Sequence, residues 1–243
     1  MMNNLNEINS ITAIVPFFNE EKYLETSVKR LIKVNLFNQI ILVNDGSVDN
    51  SIEIAKKLTV KYDILELISN EKNLGKGYAV KSALNSVSSN YVIVHDADLE
   101  YFPEDIPELF DVALKNPNSL VLGSRTIKGK ERDNKYVLTY FANKIYTYLF
   151  SLINGKRLSD IASCYWLIQT DTLKSFNISE IGFGIEVEVL SKFLRRSDNI
   201  IEVPIRYNGR TYENGKKIKF KDGVTIFLKI LFYSKLLNSF KRV

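Results

Sequence analysis

Four short runs of apolar and β-branched residues, ITAIV (11–15), IILV (40–43), ILELI (64–68) and YVIV (91–94), are separated by stretches whose apolar residues recur at helical spacing. The intervening sets are Tyr23, Val28, Leu31 and Ile32, then Ile52, Ile54, Ala55 and Leu58, then Ala79, Val80, Ala83 and Leu84. Short runs bounded by turn formers read as strands, and a recurrence every three or four residues reads as helix. Strand alternating with helix is the pattern of a parallel sheet with right-handed crossovers, because a parallel neighbour is reached only by a long connection over one face. LVLG (120–123) and IIEVPI (200–205) read as further strands. The fold class expected is therefore α/β, a mostly parallel sheet flanked by helices.

Such sheets bind ligands at the carboxyl ends of their strands. Here those ends run into PFFNEE, NDGSVDNS, HDADLE and GSR. Ordinary turn chemistry accounts for NDGS, but not for the triple carboxylate of Asp96, Asp98 and Glu100. In a chain that stays extended past Val94, residues i, i+2 and i+4 point to one side, so the three would face a common point. Anions so placed raise one another's pKa unless a cation stands among them. Aspartate oxygens are the hard ligands that Mg²⁺ and Mn²⁺ prefer. His95 alternates away from Asp96 and is expected to be structural.

With 243 residues and 45% apolar content, one large domain is expected, residues 1–243. The start, MMNNLNEINS, has neither the basic nor the apolar segment of a signal peptide, so an intracellular protein is expected, and the single Cys164 rules out an internal disulfide. Of the net charge of +5, residues 206–243 hold +8, ten Lys or Arg against Glu213 and Asp222, which suits phosphates or an anionic membrane surface. Lys144 interrupts the apolar segment 136–154 and Lys229 the segment 224–234, so neither reads as a spanning helix. The stripe of Leu138, Phe141, Ile145, Tyr148, Leu149 and Leu152 is open to two readings, core packing or a lipid-facing role. The amphipathic stretch 224–240 is equally open, as an interfacial helix or as one packed on the sheet with its lysines in solvent. The charged loop 126–135 has no apolar pattern and reads as mobile.

IVPFFNEEKYLE, ILVNDGSVDNS, NEKNLGKGYAV, VHDADLE and LGSR together resemble the family 2 glycosyltransferases of GT-A fold. LSDIASCYWLI, GFGIEVEVLSKF and IIEVPIRYNGRTYENGKKIKFKDG are similar to the branch holding dolichyl- and polyprenyl-phosphate mannose and glucose synthases. The match runs from residue 11 to about 223. It implies a nucleotide-sugar-binding half, about 1–125, and an acceptor-binding half, about 126–243, with a C-terminal amphipathic helix. It also implies inversion at the anomeric carbon and a Mg²⁺ or Mn²⁺ cofactor. Pro16, Glu20 and Asp45 would line the nucleoside pocket. Asp96 would meet ribose and metal, Asp98 would hold the metal against the diphosphate, and Glu100 is a further candidate ligand. Arg210 and Lys216 of GRTYENGKK would reach the phosphates, as a charge-stabilising clamp on the leaving group, with Lys76 as a further contact.

One departure stands out: relatives carry a basic residue where SCYW has Trp166, so Arg125, Arg206 or Lys217 would supply that charge, or the acceptor differs. Trp166 and Cys164 read first as packing, with stacking on a sugar or isoprenoid open to Trp166. A polyprenyl phosphate is already anionic and attacks without a protein base. A sugar hydroxyl needs one, and Asp160 is the candidate, its plain alternative being a helix N-cap in competition with Ser159.

The expected partners are a GDP- or UDP-sugar, a polyprenyl phosphate, the cytoplasmic membrane face and, left open, a membrane protein that recruits the chain. The alternative acceptor is a hydroxyl of a cell-surface glycan or lipopolysaccharide. A sugar nucleotidyltransferase would have a glycine-rich, arginine-containing loop where VPFFNEE stands. A binding module that lost activity gains nothing from mutually repelling carboxylates. Nucleic acid is not expected, because the basic charge is equally explained by anionic lipid and phosphate.

Overall fold

The computed structural model of the chain describes residues 9–211, 213 and 220–234. β1 (Ile11–Phe17), α1 (Leu24–Val34), β2 (Gln39–Asp45), α2 (Ser51–Lys61), β3 (Leu65–Asn70), α3 (Lys76–Ala83) and β4 (Tyr91–Val94) alternate as the periodicity requires. They are followed by α4 (Ile106–Lys115), β5 (Leu120–Ser124), β6 (Arg132–Asp133), α5 (Val137–Asn154) and β7 (Trp166–Gln169). Then come α6 (Thr170–Lys174), α7 (Ile185–Leu194), β8 (Ile200–Pro204), β9 (Tyr207–Asn208) and α8 (Phe220–Tyr233).

Seven strands form one sheet in the order β3-β2-β1-β4-β7-β5-β8, parallel except for β7. Because side chains alternate across a strand, each apolar run feeds two layers. Ile40 and Leu42 of β2, Tyr91 and Ile93 of β4 and Val121 of β5 pack under α1, α2 and α4 with Leu31, Leu58 and Leu109. Ile41, Val43, Val92, Val94, Leu120 and Leu122 face the opposite layer with Val80, Leu190 and Ile230. A sheet covered on both faces explains why its strands read as continuous apolar runs rather than as an apolar-polar alternation. The order reverses between β1 and β4, the switch point where the strand ends splay and leave a crevice.

β7 was not among the expected strands. It is four residues long and antiparallel to both neighbours, and Ile93 of β4 and Val121 of β5 both face Leu167. This insertion mixes the two halves of the sequence within one sheet. It also carries SDIASCY, which precedes it, to the carboxyl ends of β4 and β5.

Trp166 is the residue at the head of β7 and is fully buried in the core, so in this structure it faces neither sugar nor isoprenoid. The loop 126–135 is tied down rather than free: Arg132 and Asp133 of β6 pair with Tyr207 and Asn208 of β9, and Lys130 bridges Asp105 and Glu108.

The α5 stripe stays outside the core. Leu138 and Tyr148 are 79% and 66% exposed, with Val137, Phe141, Ile145 and Leu152 also exposed, while the buried residues are Thr147, Phe150 and Asn154. α8 packs beside α5 and α7 and leaves Val224, Phe227, Leu228 and Phe232 exposed. Its Lys229 is not left to solvent alone, since its ammonium pairs with Glu180 at 2.8 Å. Among the described residues no helix is long and apolar enough to cross a membrane.

Candidate active site

The end of β2 delivers Asp45, buried, whose Oδ1 accepts hydrogen bonds from Leu74 N (3.1 Å) and Asn70 Nδ2 (3.2 Å) and whose Oδ2 accepts from Gly75 N (2.8 Å). This locks β2 to the turn that opens α3. Gly75 stands at φ +102°, and a Cβ on it would come within 2.4 Å of the Ile181 carbonyl oxygen, so glycine is required there by conformation and by a backbone contact. Pro16 lies in β1 opposite Val43 of β2. Glu20 is anchored by its own N–H, which donates to Ser51 Oγ at 2.8 Å.

The three carboxylates after β4 do not share one focus. The strand ends at Val94 and the chain turns, with Leu99 at φ +63°, so the strict two-residue alternation is lost. Asp96 faces Lys76, the first residue of α3, at 2.8 Å, and the same ammonium pairs with Glu186 of α7 at 2.8 Å. Asp98 and Glu100 face Arg210 instead. Arg210 donates to Glu20 (3.0 and 3.2 Å) and to Asp98 (3.0 Å) through its guanidinium, and to Glu100 (2.8 Å) through its backbone N–H. Glu100 also accepts a hydrogen bond from the Tyr207 hydroxyl at 2.6 Å. The cations among the carboxylates are thus supplied by the chain, and Arg210 holds carboxylates rather than standing free for a phosphate.

Burial of Asp98, with Glu100 beside it, outweighs the pull of Arg210 and lifts its carboxyl to about 7. Asp96 is also buried, yet Lys76 keeps it below the usual carboxylate range. A cavity of about 300 Å³ opens beside Asp98 and Arg210, lined also by Tyr23, Lys135 and Thr211.

Among the described residues no three His, Cys, Asp or Glu side chains form a ready metal cage. Mg²⁺ is usually held through one or two carboxylates and the substrate's phosphates, so the arrangement fits such an ion with Asp98 as its foremost ligand. A carboxyl pushed up to about 7 is a buried acid whose anion lacks enough compensation, and a divalent cation supplies it.

At the end of β5 the balance changes sign. Arg125 grips Asp160 through two bonds, Nε to Oδ2 at 2.7 Å and Nη2 to Oδ1 at 2.8 Å, and lies 4.9 Å from the centre of the Tyr207 ring. Asp160 is fully buried and also accepts from Arg125 N (3.1 Å) and Asn143 Nδ2 (2.9 Å). Burial pushes its pKa up, but Arg125 and Asn143 overcome that and hold it at about 2. Such a carboxylate is a poor proton acceptor, no helix begins on it, and in this structure its two oxygens hold the Arg125 guanidinium in place. Ser159 is held separately, donating from N and Oγ to Glu202 of β8.

Arg206 is committed to Asp105 at 2.9 Å and stacks on Phe102. Lys216 and Lys217 lie outside the described residues. His95 is buried, with Nε2 3.0 Å from Ser27 Oγ and Nδ1 2.8 Å from Tyr165 Oη, and burial lowers its pKa to about 4. It is a neutral structural residue, as its place in the strand implies.

Sequence reasoning overlooked three charged residues of this region. Glu186 lay within a quoted motif with no signal for its partner. Glu202 appeared as part of a strand and of a quoted motif, with no signal for its partner. Arg132 was hidden in a loop read as mobile. Its Nη1 donates to the Arg125 carbonyl oxygen (2.9 Å), its Nε to Asn134 Oδ1 (2.8 Å), and its guanidinium sits 4.7 Å from the Tyr140 ring centre on α5. Burial and then the charge of Arg125 lower its pKa, the mark of a cation short of anions.

Residues 12–176 match Glycosyl transferase family 2. The chain is 30% identical over 216 residues to a dolichol-phosphate mannosyltransferase of Pyrococcus furiosus, covering 86% of this chain and 60% of that longer protein. It is 27% identical over 240 residues to the UDP-N-acetylglucosamine--dolichyl-phosphate N-acetylglucosaminyltransferase of Methanococcus voltae, covering 91% and 94% respectively. A solved glucosyl-3-phosphoglycerate synthase of Mycobacterium tuberculosis, in complex with Mn²⁺, uridine diphosphate and glucosyl-3-phosphoglycerate, superposes with a TM-score of 0.74 over 92% of this chain and 79% of that one. At 17% identity this likeness speaks to the fold, which is of GT-A type. With more than half its length matched by the family profile and these relatives on either side, the chain belongs to glycosyl transferase family 2.

Proposed function

We propose that the chain transfers a sugar from a GDP- or UDP-sugar to a polyprenyl phosphate, with inversion, at the cytoplasmic face of a membrane. Residues up to about 125 hold the donor and the later ones meet the acceptor. The observation that carries this reading is Arg132: a partly buried guanidinium with no carboxylate in ion-pair contact among the described residues, next to Arg125 and against the helix that bears an exposed apolar stripe. A ligand with an anionic head and a long apolar tail satisfies both features at once.

On the donor side, Asp45, Glu20 and Pro16 border the nucleoside, and Asp96, kept ionised by Lys76, faces the ribose. The site would bind Mg²⁺ or Mn²⁺ at Asp98, which as a Lewis acid offsets the charge that develops on the departing diphosphate. Arg210, and Lys216 from outside the described residues, would add positive charge there. The acceptor's phosphate oxygen is already an anion, so no side chain has to take its proton. Asp160, held at about 2, is unsuited to that task, which disfavours the alternative of a sugar-hydroxyl acceptor. The names of the Pyrococcus and Methanococcus relatives support the same acceptor class. The relative that names UDP-N-acetylglucosamine makes that donor one of the first to try.

The test is transfer of label from GDP-mannose, UDP-glucose and UDP-N-acetylglucosamine to undecaprenyl or dolichyl phosphate, with Mn²⁺ or chelator. Metal-dependent label in the lipid phase, absent in Asp98→Ala, is the expected result. Binding or slow hydrolysis of a donor with no labelled lipid would overturn the acceptor and leave the hydroxyl-directed reading.

A further inference from the structure

Arg210 meets Glu20 from the segment after β1 and Asp98 from the segment after β4, and its backbone meets Glu100. Its Nε is buried and makes no hydrogen bond among the described residues, 3.7 Å from Glu100 Oε1. The guanidinium therefore grips Glu20 through two bonds and reaches Asp98 through one, so the contact with Asp98 can be given up while Glu20 still holds the arginine. It also borders the cavity that Asp98 lines. A divalent cation at Asp98 and a guanidinium 3.0 Å from the same carboxylate would compete for its charge and its lone pairs.

We propose that Arg210 and the divalent cation are alternative counter-ions of Asp98, and that Arg210 leaves this carboxylate for the donor's diphosphate when cation and nucleotide bind. The inference rests on the donor-site reading above. Without a ligand, Arg210 is bonded to Asp98 and offsets part of its charge, and so competes with a metal ion that arrives alone. With a nucleoside diphosphate present, its planar fork has a better partner, since two adjacent phosphate oxygens match its geometry. Arg210 thereby links metal binding to donor binding: each is weak until the other arrives.

The test is Mn²⁺ binding, followed by the electron paramagnetic resonance of the free ion, with and without uridine or guanosine diphosphate. Without nucleotide, Arg210→Gln should bind Mn²⁺ roughly tenfold more tightly than the wild type, the size of one charge-assisted contact. Arg210→Lys keeps the charge and loses the fork, should fall between the two, and carries the test if Arg210→Gln does not fold. Lys135→Gln removes one positive charge from the rim of the same cavity and should change the affinity by less than about twofold, because exposed charges are screened. With nucleotide the order should invert, Arg210→Gln binding more weakly than the wild type. If Arg210→Gln and Arg210→Lys bind Mn²⁺ no more tightly than the wild type, or Lys135→Gln gains as much as they do, the exchange is wrong while the donor site stands. If the wild type binds no Mn²⁺ with either nucleotide, the donor-site reading falls and the exchange with it.

Discussion

At the ends of β1 and β4, the carboxylates of Glu20, Asp96, Asp98, Glu100 and, from α7, Glu186 are linked to two cations among the described residues, Lys76 and Arg210. At the end of β5, the guanidinium groups of Arg125 and Arg132 share the field of one buried carboxylate, Asp160. One row of strand ends thus offers an excess of anions on one side and, on the other, a guanidinium, Arg132, with no carboxylate in ion-pair contact among the described residues. A diphosphate cannot approach the first without bringing a cation, whereas a phosphate monoester can approach the second directly. On the proposed function the contrast means that a nucleotide and a lipid phosphate, both anionic, need opposite surroundings: one would be a leaving group whose charge a metal offsets, the other a nucleophile whose charge must be received without being quenched.

The strongest way to break the comparison is at Asp98. Asp98→Ala should lower metal-dependent transfer by roughly a thousandfold, as several kcal/mol of charge stabilisation at the diphosphate is lost. Single-turnover kinetics would read this, and an unchanged rate in the variant would remove the metal from the account. On the other side, Asp160→Asn leaves Arg125 buried without its partner and should cost about 3–5 kcal/mol of stability, read by denaturant unfolding. The same pair sets a pH dependence. Because Asp160 lies below its ordinary 3.8 in the folded protein, its contribution is present above that pH and disappears as pH falls through about 2.

Arg132→Gln probes the second guanidinium and should raise the acceptor KM roughly 10–100-fold while leaving the donor KM unchanged, as one charged hydrogen bond is worth about 1.5–3 kcal/mol. Equal effects on both constants would make Arg132 merely structural. A smaller change belongs to pH on the donor side. Asp98 is raised to about 7, so the fold favours its acid and a proton competes with the metal ion. Apparent Mn²⁺ affinity should fall about tenfold for each pH unit below that value and level off above it. The smallest effect is expected at the apolar stripe: Phe141→Asp should weaken sedimentation with anionic vesicles several-fold, at about 1–2 kcal/mol of lost burial, and leave the melting temperature unchanged because this side chain is exposed.

The sheet and the acidic ends of its strands were legible in the sequence because their signals are local. A strand and the residues that follow it are contiguous, so ITAIV with Glu20, IILVND with Asp45 and YVIV with Asp96 and Asp98 identify both the scaffold and its chemistry. The positions of those carboxylates were not legible, because the strand ends at Val94 and the chain turns at Ala97 and Asp98, which breaks the alternation on which the three-way convergence relied. β7 escaped because four residues inserted between two strands depend on partners 74 and 46 positions away, Ile93 and Val121 against Leu167. Arg132 and Glu186 escaped for the same reason: a charge in a loop or helix announces no partner until the fold supplies one. For α5 the periodicity identified the stripe correctly, but an apolar face turned to a core and one turned outward have the same period.

The most direct test compares two acceptors that differ only in charge: a polyprenyl phosphate and the corresponding polyprenol, each offered with the same labelled nucleotide sugar and Mn²⁺. Label is expected in the phosphate alone, because the β5 end offers guanidinium groups to an anion and Asp160, held at about 2 by Arg125, is unfit to deprotonate an alcohol. Comparable transfer to the neutral polyprenol would contradict it, and would mean that a base acts there which Asp160 cannot be.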